Sequence, residues 1–229
     1  MTQEDAWDRE YKRGKLLTLE NKPQADVVRF VKFLKKEKFP TENPAVLDLG
    51  SGTGRNSFYF AEHGAKVVGL EISKTAIDVA NNNLKNTSGL IYDISYIKQS
   101  IGEILPFKDS TFDILLDVTS SNSLTETERE IFLIETHRVL KDGGYFFTKA
   151  LCKDGDENAK FLLKNNAGKE KDTYIMPELG VTERVWSKED FVQAYEKYFK
   201  ILHMEKKTSY SRMNNRSYKR NFWIVYIQK

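Results

Sequence analysis

Between positions 46 and 54 the chain reads Val46-Leu47-Asp48-Leu49-Gly50-Ser51-Gly52-Thr53-Gly54, an apolar run with one acid that passes straight into alternating glycines. Glycines allow positive φ and remove the side chains that would keep a ligand away from the main chain. Two classes of glycine-loop ligand compete for such a loop. A dinucleotide fingerprint needs Gly-x-Gly-x-x-Gly with a pyrophosphate on the following helix N-terminus. Its third glycine would fall at Arg55, which breaks the pattern. An ionised Asp48 beside the loop repels a pyrophosphate and suits a cationic ligand, which decides against NAD. A second acid, Glu71, ends the next apolar run, Lys66–Leu70.

Other reactive side chains are sparse. Cys152 is the only cysteine, so neither an internal disulfide nor a cysteine-rich metal site is expected. His63 and His203 have no partners at ligand spacing, and His137 shares a helix face with Arg138, which reads as solvated. No metal site is expected.

The elements that must position the loop follow from hydrophobic periodicity. Val27, Phe30, Val31 and Leu34 recur at helical spacing, predicting a helix over 24–38 that Pro40 and Pro44 end. Ala45–Leu49 is a buried strand, a helix from about Asn56 closes at Gly64, and Lys66–Leu70 is the second strand. Ser73 caps the next helix, with Ala76, Ile77, Ala80 and Leu84 inward. Strands near Ile94–Ser100 and Phe112–Leu116 follow, then a Thr125-x-x-Glu128 capping box opens a helix to about Lys141. Gly143 and Gly144 stop it, and Tyr145–Leu151 is the fifth strand.

Alternating strands and helices imply a parallel sheet covered on both faces. The end differs: after a helix opened by Ser187, strands at about Ile201–Tyr210 and Phe222–Gln228 have no helix between them and must pair antiparallel, with a long tip. The expectation is an α/β, Rossmann-like, doubly wound sheet of seven strands, five parallel plus a C-terminal hairpin. It forms a single domain over 1–229: a core at about 45–151, an N-terminal cap at 1–40, an insertion or acceptor lid at 153–186, and the closing helix and hairpin at 187–229.

Composition agrees with one globular domain: 229 residues, 40% hydrophobic and 30% charged. No apolar run approaches the ~20 residues of a membrane span, and residues 1–10 are too polar for a secretory signal. With one cysteine, a cytoplasmic setting is expected. The net charge of +3 is uneven: from Lys197 onward many lysines and arginines face one acid, Glu205.

Residues 46–54 resemble the first motif of class I S-adenosylmethionine-dependent methyltransferases, of the small-molecule type. Glu71 matches that family's acidic residue for the cofactor ribose, where a carboxylate can accept from both hydroxyls. Leu105–Asp113 resembles the segment leading into the family's fourth strand, and Arg138–Gly144 the turn after it, with Asp142 where proline is usual. The family often has an acid for the adenine amino group where this chain has Ile101. The resemblance then implies apolar packing of adenine on Ile72 and Ile101, with the Gly102 backbone supplying any hydrogen bond. It further implies cofactor contacts from Asp48, Gly50, Ser51, Gly52 and Gly54, and from Asp117 after the fourth strand, where a turn-capping aspartate is the other reading. Trp7 and Tyr11 resemble the aromatic N-terminal segment with which such enzymes cover the cofactor; a plain clamp on the core is equally open.

The resemblance implies methyl transfer from S-adenosylmethionine, leaving S-adenosylhomocysteine, by in-line displacement. The acceptor expected is small, an anionic one among the candidates. Asn122 and Ser123 are candidate acceptor contacts, and the N-terminal segment, the 153–186 insertion and the hairpin tip are where specificity is expected. Two alternatives stay open. The basic, aromatic 206–220 stretch could hold RNA, or the chain could be a catalytically silent cofactor-binding partner protein. The sequence names no catalytic residue.

Overall fold

The computed structural model describes residues 2–13, 22–39, 42–86, 92–213 and 216–229, with the side chains of 211–217 left aside. In chain order the elements are α1 (Gln3–Arg13), α2 (Ala25–Lys36), β1 (Ala45–Leu49), α3 (Arg55–Glu62), β2 (Lys66–Glu71), α4 (Lys74–Lys85), β3 (Ile94–Lys98) and β4 (Phe112–Val118). A 3-10 turn at Ser121–Ser123 leads to α5 (Glu126–Val139), β5 (Leu140–Leu151), α6 (Glu157–Asn165), β6 (Thr173–Ile175), β7 (Thr182–Arg184), α7 (Lys188–Tyr195), β8 (Lys200–Met213) and β9 (Arg216–Gln228).

The main sheet runs β3-β2-β1-β4-β5-β9-β8. Its first five strands are parallel, and β9 pairs antiparallel with both β5 and β8. The expected seven-stranded, Rossmann-like architecture is therefore present. Strand alternation sends Leu47, Leu49, Leu115 and Phe146 to a core with α5 and α7, and Val46, Ile114, Leu116 and Phe147 to a core with α2, α3 and α6. Phe30 and Phe132, both fully buried, anchor the two faces. Burying one such ring stabilises the fold by roughly 1.5–3 kcal/mol.

Side chains punctuate the helices as the sequence suggests. Ser73 accepts from the Ala76 N–H, Ser187 from the Asp190 N–H, and Thr125 and Glu128 form the full capping box. Replacing such a cap by alanine typically costs ~1 kcal/mol. Pro40, expected to end the second helix, lies outside the described residues.

Two expectations need correction. The helix before β5 stops at Val139, not near Lys141, because Leu140 already pairs with Phe112; Gly143 and Gly144 sit in the irregular stretch where the register shifts before Tyr145 meets Ile114. The terminal hairpin has no long tip: pairing continues to Met213 opposite Arg216. The 153–186 stretch is structured, with α6 and the β6–β7 hairpin locked by a buried network. There Tyr174 Oη donates to Glu183, Arg220 Nη2 donates to Tyr174 Oη at 3.0 Å, and Arg220 Nε lies 3.6 Å from Asp156.

Candidate cofactor and acceptor site

A cavity opens at the carboxyl ends of β1, β2 and β4, roofed by α1. That is where open α/β sheets bind ligands, at the point where the strand order reverses. Of the residues singled out by sequence, Tyr11, Gly50, Ser51, Gly52, Glu71, Ile72, Ile101 and Ser123 line it together. Asp48, Gly54, Gly102, Asp117 and Asn122 stand behind the lining.

Glu71, 5% exposed, joins the two halves of the floor. Its Oε2 accepts from the Gly52 N–H at 2.9 Å and its Oε1 from the Ser73 N–H at 2.8 Å. Burial pushes its pKa up, and the amides of Ser73, Gly52 and Ile72 pull it back. Each carboxylate oxygen keeps a lone pair for a hydroxyl from the cavity. Gly52 has φ +55°, and a Cβ built there would lie 2.7 Å from Tyr11 Oη. Gly54, at φ +85°, begins α3 and has room for no Cβ either, since Tyr96 Oη would be 2.1 Å away. Ser51 Oγ is buried without a hydrogen-bond partner among the described residues. A vicinal diol on Glu71, with main chain and Ser51 presented by the glycine loop, is what S-adenosylmethionine would require, so the residues fit that cofactor.

Asp48 shares the strand face of Val46, toward α3, and accepts from Ser57 Oγ at 2.6 Å. Burial raises its pKa to about 6. It braces the loop from behind. Asp117, fully buried, accepts from the Ser120 and Ser121 N–H groups, from Ser121 Oγ and from Thr148 Oγ1, and so ties the turn after β4 to β5. Gly102 packs on α5, and its N–H donates to Ser100 Oγ at 3.2 Å. Asn122 is turned inward, accepting from the Leu151 N–H.

The lining also holds residues that sequence reasoning missed, among them Gln3, Gln24, Arg55, Asn56 and Thr119. Thr119 has φ +69°, a costly conformation for a β-branched residue. Gln24 donates through its backbone to Asn56 Oδ1 and accepts through Oε1 from Lys149, whose other partner is Asp26. None of these carries a motif, although Thr119 directly follows a strand end.

α1 is pinned at several points. Gln3 Nε2 donates to Ser123 O at 2.7 Å, Asp8 Oδ1 accepts from Ser73 Oγ and the Thr75 N–H, and Arg9 Nη2 donates to Leu179 O. The Lys12 ammonium, then the Thr75 and Ser73 contacts, hold the Asp8 carboxyl well below the usual range. Ala6 and Trp7 pack with Met176, Leu179 and Val181. The insertion thus supports the roof without lining the cavity.

Two charge expectations change. Arg220 is buried in the Tyr174–Asp156 network and does not face solvent. His137 is half-buried with its ring 5.5 Å from Phe199, and burial lowers its pKa. The side chains of Arg212 and Arg216 lie outside the described residues. Among the described residues no His, Cys, Asp and Glu cluster could hold a metal, and no helix is long and apolar enough to cross a membrane.

Comparison with known proteins places this geometry. Residues 47–148 match the family model described as a methyltransferase domain. The chain is 34% identical over 115 residues to an uncharacterized methyltransferase of Synechocystis sp., 48% of this chain and 50% of that protein. It is 34% identical over 104 residues to demethylmenaquinone methyltransferase of Tropheryma whipplei, 45% of this chain and 40% of that one. The chain spans about half the length, or less, of these curated relatives. Among solved structures, 1,6-didemethyltoxoflavin-N1-methyltransferase of Burkholderia thailandensis, with its substrate and S-adenosylhomocysteine bound, superposes with TM-score 0.70 at 15% identity, over 99% of this chain and 86% of that one. A SAM-dependent methyltransferase from Methanosarcina mazei gives TM-score 0.72 at 20% identity, over 85% and 96%. The fold is that of the class I S-adenosylmethionine-dependent methyltransferases. Within it, residues 47–148 are the part that resembles the methyltransferase-domain family.

Proposed function

We propose that the protein transfers a methyl group from S-adenosylmethionine to a small acceptor by in-line displacement, in a cytoplasmic setting. The observation that carries the proposal is Glu71, buried in the cavity floor and bonded to the Gly52 amide directly beneath Tyr11. When bound, the cofactor supplies a methyl already activated on a sulfonium. The chain's own part is alignment and exclusion of water. Glu71 and the glycine loop hold the ribose side, Ile72 and Ile101 flank the base, and Trp7 and Tyr11 on α1 keep solvent out.

Among the described lining residues only Arg55 and Glu71 are charged. Glu71 already accepts two amides, so no lining carboxylate or histidine stands ready to remove an acceptor proton. The acceptor in this reading brings its own lone pair, neutral or anionic, with Arg55 as the cationic wall. Relatives whose names specify quinone or toxoflavin precursors support a small acceptor. Burial of Arg220 leaves fewer cations for an RNA backbone than the sequence suggested.

Calorimetry should show binding of S-adenosylmethionine and S-adenosylhomocysteine without competition from NAD; tight NAD binding instead would sink the reading. Labelled cofactor screened against metabolite pools and total RNA then tests the acceptor class. Transfer to RNA falling with salt at a slope of about −0.7 per phosphate would favour RNA. Cofactor binding without transfer to either pool would favour a silent partner.

A further inference from the structure

A second cavity, of about 270 Å³, lies between α5, β7 and α7, apart from the one beneath α1. Its inner wall is built on Trp186, over which two guanidinium groups pack, Arg184 at 4.2 Å and Arg129 at 5.4 Å from the ring centroid. Arg129 is 5% and Arg184 7% exposed. Among the described residues neither has a carboxylate within 4.0 Å; the ion pair in this cavity joins Lys171 to Asp190.

Their hydrogen bonds go to neutral carbonyls. Arg129 Nη2 donates to Leu124 O at 2.6 Å and Arg184 Nη1 to Lys171 O at 3.3 Å, while the Nε of each is buried with no acceptor among the described residues. Two like charges taken out of water side by side, with no carboxylate in contact, are unfavourable, and Glu170 and Glu126 offset the Arg129 charge only from a longer range. Burial and the nearby Arg184 charge push the Arg129 pKa down to about 10. A tryptophan face compensates a cation only partly. What such an arrangement lacks is an acceptor with two or more oxygens, which guanidinium groups bind through paired N–H donors. At the mouth, Lys171 and Lys197 add positive charge, and Glu126, Glu130 and Asp190 oppose a polyanion.

We infer that the Arg129–Trp186–Arg184 cavity binds a small oxyanion, a carboxylate or a phosphate. Arg129 also holds the Leu124 carbonyl, and Leu124 and Ser123 line the first cavity, where Ser123 O receives Gln3 of α1. An occupant of the second cavity therefore braces the turn on which α1 rests. The inference does not depend on the methyltransferase reading.

The test is titration of the whole protein with sodium phosphate and with sodium acetate at matched ionic strength, followed by thermal unfolding and by the tryptophan indole N–H signals in NMR spectra. Expected are a saturable rise in Tm and movement of the Trp186 signal. Arg129→Gln and Arg184→Gln should each weaken binding by about tenfold or more, and Lys197→Ala, an exposed change that leaves the core alone, by a few-fold. Tighter phosphate identifies a phosphoryl ligand, and tighter acetate a carboxylate. Absence of saturable binding of either anion to the wild type, or equal Tm shifts in wild type and the Lys197 variant together with an unmoved indole signal, overturns the inference.

Discussion

Glu71 and Glu183 are both buried carboxylates raised by desolvation, yet they sit in opposite kinds of surroundings. Glu71 is held by the main-chain amides of Gly52 and Ser73 and faces a cavity. Glu183 is closed in by Tyr174, itself bonded to Arg220, whose guanidinium also reaches toward Asp156. Burial alone therefore says little about function. The partners decide: main-chain donors on one side leave room for a ligand, and a side-chain network leaves none.

The comparison predicts separable mutant phenotypes. Glu183→Ala removes the carboxylate facing Tyr174 and Arg220, and breaking a buried charge network typically costs ~3 kcal/mol. Urea unfolding should register that loss while cofactor affinity of the folded fraction stays the same; a change in affinity of the folded protein would erase the distinction. Gly52→Val is the mirror case, combining a φ unsuited to valine with a Cβ against Tyr11 Oη. Binding of S-adenosylhomocysteine should weaken by more than about a hundredfold, roughly 3 kcal/mol, as read by calorimetry.

Glu71→Ala should weaken cofactor binding by on the order of ten- to a hundredfold, about 1.5–3 kcal/mol. Because the Gly52 amide loses its acceptor as well, loop protection in hydrogen exchange should fall with it. An unchanged dissociation constant would remove Glu71 as the ribose partner.

The smallest effect concerns Asp48, whose folded pKa of about 6 stands above its unfolded value. The sign follows from proton uptake: the folded state binds the proton more tightly, so this contribution is fully present below about pH 4 and is lost as pH rises through 6. Asp48→Asn, which keeps an acceptor for Ser57, should flatten that part of the stability profile, by on the order of 1–3 kcal/mol. Denaturation midpoints between pH 4 and 7 are the measurement, and parallel curves for variant and wild type would count against it.

Local patterns carried most of the cavity floor beneath α1. Apolar run, glycines and helix are contiguous, so β1, its loop and α3 were readable, and Glu71 followed from the end of β2. The side that Asp48 faces was also available, since it alternates with Leu47 and Leu49 and shares the face of Val46. What escaped depends on distant pairing. Leu140 leaves the helix because Phe112 is opposite it, and Gln24 reaches the cavity only through Asn56 and Lys149. Nor does composition separate Arg220, buried with Tyr174, from Lys219 beside it, which is exposed.

The several moorings of α1 have a kinetic consequence. Lifting of α1 off the glycine loop beneath Tyr11 would require parting from the turn after β4, the start of α4 and the β6–β7 connection. For a ligand covered by α1, residence time would be governed by a door whose latches are spread over three separate stretches of chain. In the proposed reaction a spent cofactor would wait for that door, and polar contacts remote from the transferred methyl would set the ceiling on turnover.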